Sequence, residues 1–499
     1  MGIIKRQAYS GTILSYLGVV IGYITTAVLF PKYLTTAEIG LLAVFMSYAY
    51  IFAQLATLGM TRITIVFFPY FRDREKNHHG FFPLMILISL AGLMISLVVV
   101  FFLKKMLISN SNDQSTLFAD YFNYLFPLVI VTLLFLVTDT FNTTLFNAVR
   151  GIFLKEFVQR LAILASVVLY ILSWVRFDQF VMLFVISLSI PGVILLIYIS
   201  KNKEFRFRPM YSSLMNEKAG MMANIGINGI FIGFSGMIIL FIDRIIVERM
   251  LGLGSTGIYT TMSYFATLIA IPSRALLKIS DPVIAQSWKN DDLKSLNDNY
   301  YRSSLHQFLI GSLLMIGIWG NIGNILRMLP PEYTDGKFVV LFLAFAFLLD
   351  MLTGTATFIL ANSKYYHYQT YYILLLVVLI IISNLLLIPV WGLAGAAIAT
   401  LSSKIIANVI RHQILYRKFG LQPYNAKFLL IALIAGISYL AQYFIPELGN
   451  LYLDLLIRSA VMSILFISLA VGLKISPDVN ERFRWLLSML RKQSNGRRT

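Results

Sequence analysis

Residues 81–103 read FFPLMILISLAGLMISLVVVFFL, twenty-three positions without one charged side chain. At 1.5 Å of rise per residue, a helix over this run reaches across roughly 30 Å of hydrocarbon with some tilt to spare. Its apolar residues are continuous rather than alternating. Backbone in lipid must also satisfy its own hydrogen bonds, so the run predicts a spanning helix and not a barrel strand. Thirteen further runs of comparable length fill the chain, at 11–31, 39–60, 121–146, 157–175, 178–200, 222–242, 256–276, 304–325, 338–361, 369–389, 393–413, 428–446 and 452–473. The expected fold is therefore an all-α polytopic membrane protein of about fourteen transmembrane helices. Composition points the same way. The chain is 58% hydrophobic and 13% charged with a mean hydropathy of +0.77, whereas soluble domains carry about 25% charged residues. Lys5 and Arg6 precede the first run as they would a signal peptide. That run is too long for one and no small-residue cleavage site follows it, so it is read as a span.

Charge orients the spans. With the N-terminus placed inside, the inner loops collect Arg62, Arg72, Arg74 and Lys76, then Arg150 and Lys155, then the stretch from Lys201 to Lys218, then Arg274 to Arg302, then Arg417 and Lys418, and finally a basic C-terminal tail. About thirty of the 41 Lys and Arg residues fall on that side, as the positive-inside rule requires. Both termini are thus expected in the cytoplasm, and an even number of spans keeps the alternation intact to the end. The outer loops are short, the longest near Lys104–Asp120, which leaves no room for an outer catalytic domain. No enzyme activity is expected.

The net charge of +18 is accounted for by orientation and by anionic lipid headgroups, without nucleic acid as a partner. There are no cysteines, which excludes disulfides and thiolate chemistry. The histidines His78, His79, His306, His367 and His412 lack ligand spacing. Neither a metal nor a cofactor is expected.

An internal echo divides the chain. Pro31-Lys-Tyr-Leu-Thr-Thr-Ala-Glu-Ile-Gly40, followed by Met46-Ser-Tyr48, resembles Arg249-Met-Leu-Gly-Leu-Gly-Ser-Thr-Gly257, followed by Met262-Ser-Tyr264. Leu34 matches Leu251 and Gly40 matches Gly257, each at an offset of 217 residues. The expected organisation is an N-terminal six-helix bundle over 1–200, a cytoplasmic linker over 201–218 and a second six-helix bundle over 219–418. Two added helices over 419–475 and a basic tail over 476–499 complete it. Two parallel repeats imply a central cleft and alternating access.

Ionisable groups inside spans are costly and are functional candidates by default. Lys404 lies near the middle of the twelfth span, too deep to snorkel to either end with ease. Asp139 in the fourth and Asp350 in the tenth occupy roughly corresponding places in the two halves and are candidates for binding H⁺ or Na⁺. Arg160 stands four residues after Glu156, the spacing of a helical ion pair. Arg62 and Arg274 follow the second and eighth spans, where simple interfacial anchors also occur.

Three stretches carry a family resemblance: Phe30–Gly40 with Leu58-Gly59, then Asp243-Arg-Ile-Ile-Val-Glu-Arg-Met-Leu-Gly-Leu-Gly-Ser-Thr-Gly-Ile-Tyr259, then Asn384-Leu-Leu-Leu-Ile-Pro389 with Gly392-Leu-Ala-Gly-Ala-Ala397. The chain resembles the oligosaccharide-lipid flippases of the O-antigen flippase or polysaccharide biosynthesis type, within the multidrug/oligosaccharidyl-lipid/polysaccharide exporter superfamily. The resemblance implies a pair of bundles in a bacterial inner membrane, and export of an undecaprenyl-pyrophosphate-linked oligosaccharide to the outer leaflet for lipopolysaccharide or related surface glycans. It also implies the polysaccharide polymerase machinery as a partner. Lys404, Arg62, Arg274 and Arg160 would then be substrate-binding, because a diphosphate cannot enter hydrocarbon bare and Lys and Arg replace its hydration. The competing readings are a cation-coupled multidrug antiporter of the same superfamily and a flippase for the peptidoglycan lipid precursor. A membrane-embedded glycan polymerase would need a larger outer loop with acid–base residues.

Overall fold

The computed structural model describes residues 17–73, 75, 77–109, 116–201 and 213–481. Most of the linker and nearly all of the basic tail lie outside these residues, as do Arg74 and Lys76. The described residues are mostly helical, with no strand among them. Among the described residues nine helices, two of them long enough to hold two spans each, are long and apolar enough to cross a membrane, and shorter apolar helices join them.

In chain order the spans are α1 (Leu17–Tyr33), α2 (Thr36–Ala56), α3 (Phe81–Ser109), α4 (Leu125–Thr144), α5 (Gln159–Ile171), α6 (Phe177–Lys201), α7 (213–251), α8 (253–267), α9 (Leu293–Gly320), α10 (Lys337–Leu352), α11 (367–391), α12 (393–419), α13 (Ala426–Leu440) and α14 (Leu451–Gly472). Each of the fourteen runs read from the sequence overlaps one of them, residues 11–16 of the first run lying outside the described residues. The helical stretches Ser213–Thr267 and His367–Phe419 each hold two spans. They reverse at Gly252 (φ 85°) and Gly392 (φ 56°), conformations that a side chain would strain.

Two runs end differently from their hydropathy. The ninth helix starts eleven residues before the apolar run, because Asp292 caps it by accepting from the Ser295 amide at 2.9 Å. The tenth breaks after Leu352 and resumes at Ala356–Ala361. There Ser303 and Ser304 of α9 press on Gly354 so closely that a Cβ would overlap them, and Ser303 Oγ accepts from the Thr355 amide at 3.2 Å.

The chain forms two compact units. Unit 1 comprises residues 1–261 and 377–396. Its helix α4 packs on α2, α3 and α6, around an aromatic centre in which Phe141 meets Phe68 at 4.9 Å and Phe82 at 4.6 Å. Within this unit α2 crosses the start of α8 at glycine. A Cβ on Gly40 would overlap the Leu253 carbonyl, and one on Gly257 would overlap the Thr36 carbonyl. Thr36 and Leu253 are themselves 217 residues apart, so the contact is self-complementary in the sense of a two-fold interface. Unit 2 comprises residues 262–376 and 397–499 and is centred on α9, which touches α10, α13, α14 and the helix Ile271–Lys289.

Candidate functional site

The twelfth helix carries Lys404, Asn408 and Arg411 at i, i+4 and i+7, hence on one face. That face lies against α10 and the break that follows it, all within unit 2. Lys404 Nζ meets Asp350 Oδ2 at 2.7 Å. Its ammonium also lies over the Phe347 ring, one turn earlier on α10, at 4.7 Å. Lys404 thus fills a notch made by an aromatic face and a carboxylate of the same helix.

Arg411 is 4% exposed and has no carboxylate as its hydrogen-bond partner. One terminal nitrogen donates to Thr353 Oγ1 at 2.8 Å and to Asn408 Oδ1 at 2.7 Å, and the other donates to Thr357 Oγ1. Its guanidinium lies over the Tyr372 ring at 4.6 Å, and its Nε has no hydrogen-bond partner among the described residues. The break in α10 is what presents Thr353 and Thr357 to one arginine. Asn408 joins the two cations. Its Oδ1 accepts from Arg411 and from the Tyr372 hydroxyl at 3.0 Å, which fixes the amide and turns Nδ2 toward Asp350 Oδ1 at 3.5 Å. One carboxylate, paired with Lys404 and linked to Arg411 only through Asn408, therefore sits among two cations in the membrane-spanning part of unit 2. Such groups are costly unless paired or placed beside a cavity, so the cluster marks a site.

Of the other expected residues, Arg160, Asp139 and Arg62 belong to unit 1 and Arg274 to unit 2. Arg160 pairs with Glu156 at 2.6 Å and donates to the Gly18 carbonyl at 2.9 Å, tying α5 to α1. Asp139 sits against Gly151, where a Cβ would strike its carboxylate. Thr138 and Asn142 bond to backbone carbonyls instead of to Asp139. Lys155 places its ammonium over Phe135 at 4.9 Å. Arg62 is exposed, with its stem laid on Gly229 of α7, and Arg274 is exposed on the helix Ile271–Lys289. Among the described residues no three His, Asp or Glu side chains gather as metal ligands.

Solved structures resemble this architecture over most of its length. "Lipid II flippase MurJ, inward closed conformation" superposes with a TM-score of 0.74 at 15% identity, over 93% of this chain and 98% of that one. A multidrug resistance MATE family transporter of the MOP superfamily matches in its inward-facing conformation with a TM-score of 0.61 at 12% identity, over 82% of this chain and 94% of that one. The outward-facing conformation of such a transporter gives 0.57, also at 12% identity, over 83% and 96%. The chain has the fold of these transporters. No protein-family model matches it, and no curated protein does.

Within this fold, Asn408, Arg411 and Tyr372 are the residues that sequence reasoning missed. The available signal was the 404/408/411 spacing, hidden because Arg411 stands near the end of its apolar run and reads as a helix-end anchor. The Arg160–Glu156 pair is about one-third exposed on each side. Glu156→Gln is therefore expected to cost under about 1 kcal/mol, measured by unfolding in detergent. Arg411→Lys is expected to cost more, about 2–3 kcal/mol, because an ammonium cannot reach Thr353, Thr357 and Asn408 together.

Proposed function

We propose that this protein is a transporter that moves a lipid-linked oligosaccharide, carried on undecaprenyl pyrophosphate, from the cytoplasmic to the outer leaflet of a bacterial inner membrane. Lys404 meets the anionic diphosphate, while Arg62, Arg274 and Arg160 supply further positive charge along the route. Asp139 and Asp350 are the proposed ion-coupling carboxylates, taking H⁺ or Na⁺. The observation that carries the reading is Lys404, a lysine set deep in a span and held at 2.7 Å from Asp350, in a fold shared along 93% of the chain with a lipid flippase. A diphosphate needs such a donor to leave water. An inside-negative potential favours its outward passage by about 2.3 kcal/mol per charge per 100 mV.

Two parallel repeats are part of the proposal, with bundles at 1–200 and 219–418 joined by the linker 201–218, two added helices over 419–475 and a tail over 476–499. The reciprocal Gly40–Leu253 and Gly257–Thr36 approach supports it, and so do the helix interruptions that recur after α4 and after α10. Cytoplasmic termini follow from the loop charges, and the polysaccharide polymerase machinery is the proposed partner.

The second reading is a flippase for the peptidoglycan lipid precursor, favoured by the fuller match to the lipid II flippase than to the multidrug transporter, 93% against 82% of the chain. The test is a proteoliposome assay that follows exposure of each lipid-linked glycan to an external sugar-modifying enzyme. Fast exchange of a polyprenyl-pyrophosphate oligosaccharide, reduced at least about tenfold by Lys404→Ala, is the expected result. Exchange of lipid II alone would move the assignment to the second reading. Exchange of neither, with cationic-drug uptake instead, would overturn both.

A further inference from the structure

We infer that Asp350 masks Lys404 in this state, and that Asn408, oriented by Arg411, is the second seat that receives the carboxylate when a diphosphate takes the lysine. The inference rests on the proposed reading of Lys404 as the residue that meets the diphosphate.

The two partners of the pair are unequally covered. The Lys404 side chain is 11% exposed and that of Asp350 is 43% exposed. A group that approaches from the exposed side of the pair therefore meets the carboxylate first, and an anion is repelled before it reaches the ammonium. The carboxylate is held unevenly as well. Oδ2 makes a 2.7 Å bond to Lys404, whereas Oδ1 faces Asn408 Nδ2 at 3.5 Å, the outer limit of a hydrogen bond. Asn408 is ready for a firmer bond. Its Oδ1 is engaged by Arg411 and Tyr372, so its amide cannot flip, and the guanidinium charge polarises its N–H toward Asp350. Arg411 brings a buried positive charge that no carboxylate among the described residues bonds directly, and its Nε has no hydrogen-bond partner among them.

Losing Lys404 would ordinarily leave Asp350 without a counter-charge within a membrane span, which is costly. Movement toward Asn408 and Arg411 avoids that cost, so the lysine can be released without an uncompensated charge. Small anions that bind too weakly to open the pair are excluded. A diphosphate carries enough charge to compete, which makes Asp350, Asn408 and Arg411 a selectivity device built around Lys404.

The experiment is a thermal-shift titration of the full chain. One arm uses inorganic pyrophosphate in detergent and the other uses undecaprenyl diphosphate in nanodiscs. Asp350→Asn is expected to tighten apparent binding about tenfold over wild type, the size expected from removing one close competing charge. Lys404→Met is expected to abolish binding, also in the Asp350→Asn background. Asn408→Val is expected to weaken binding several-fold with Lys404 and Asp350 both present. Should that variant fold poorly, Asn408→Asp serves instead, because it gives Arg411 a carboxylate and repels Asp350 from the second seat. The same order in both arms, or in the lipid arm alone, supports the inference and says whether the lipid is required. Weaker binding in Asp350→Asn, or binding that survives Lys404→Met, overturns it. Flipping retained without this order would leave the transport reading standing and remove the mask. The order without any flipping would do the reverse.

Discussion

Gly257→Leu is expected to leave little folded protein. At this position α8 lies directly on the Thr36 carbonyl of α2, and even a methyl group would overlap backbone that cannot rotate aside. Overpacking costs about 1–3 kcal/mol where side chains can yield and more where they cannot. Membrane helices depend on such small-residue crossings because lipid gives them no hydrophobic drive to associate. Gly40→Leu is expected to fail in the same way, since it meets the Leu253 carbonyl. Gly254 provides the control. It lies one turn from Gly257 on the same helix, and an added Cβ would only touch Thr36 Oγ1 at 3.4 Å. Gly254→Ala should fold normally, with a gain of up to about 1 kcal/mol from helix propensity. Monodisperse yield in detergent and the thermal midpoint of the three variants check this. Normal folding of Gly257→Leu would mean that the helices do not cross there.

Asp454→Ala is expected to cost about 3–5 kcal/mol, the penalty for stranding a buried charge. Asp454, 2% exposed at the start of α14, accepts from Arg458 Nε at 2.6 Å, from Asn324 Nδ2 at 2.6 Å and from the Leu448 amide at 3.1 Å. Arg458 in turn donates to the Gln442 and Ile445 carbonyls. The carboxylate therefore fastens α14 to the segment after α13 and to the short helix Ile322–Arg327. Removing it leaves the arginine charge facing carbonyls alone. The double variant Asp454→Leu/Arg458→Met should recover much of the loss, because an apolar replacement needs no pairing. Denaturant unfolding of the single and double variants measures this. A single-variant loss no larger than that of the partly exposed Glu156→Gln would show that the pair is not buried.

The spanning helices were legible in the sequence because a bilayer imposes one length on all of them. Each apolar run names its helix almost regardless of what surrounds it. The reversals at Gly252 and Gly392 were legible for a similar reason, since each joins two runs through glycine. The interruption at Gly354 was not legible. It arises from two serines on α9, fifty residues away in the chain, and hydropathy sums carry no trace of that contact. Lys404 and Asp350 could each be singled out by depth in a span, but their pairing depends on how α12 rotates against α10. Arg411 was missed because its burial comes from Thr353 and Thr357, which the broken tenth helix turns toward it. The single-residue cost of a charge in lipid is readable from sequence, whereas the partners that offset it are set by packing.

The glycine crossing also dictates a schedule for the growing chain. Gly40 leaves the ribosome 217 residues before its counterpart Gly257, an interval of roughly 10–40 seconds at ordinary elongation rates. Unit 1 closes later still, because Asp243 on α7 accepts a 2.9 Å hydrogen bond from Asn384 of the late segment 377–396. During synthesis the second helix must wait in the bilayer with its narrow glycine face turned to lipid or to an insertion chaperone. A stop in translation between the two glycines would leave a half-assembled unit as a ready substrate for membrane proteases.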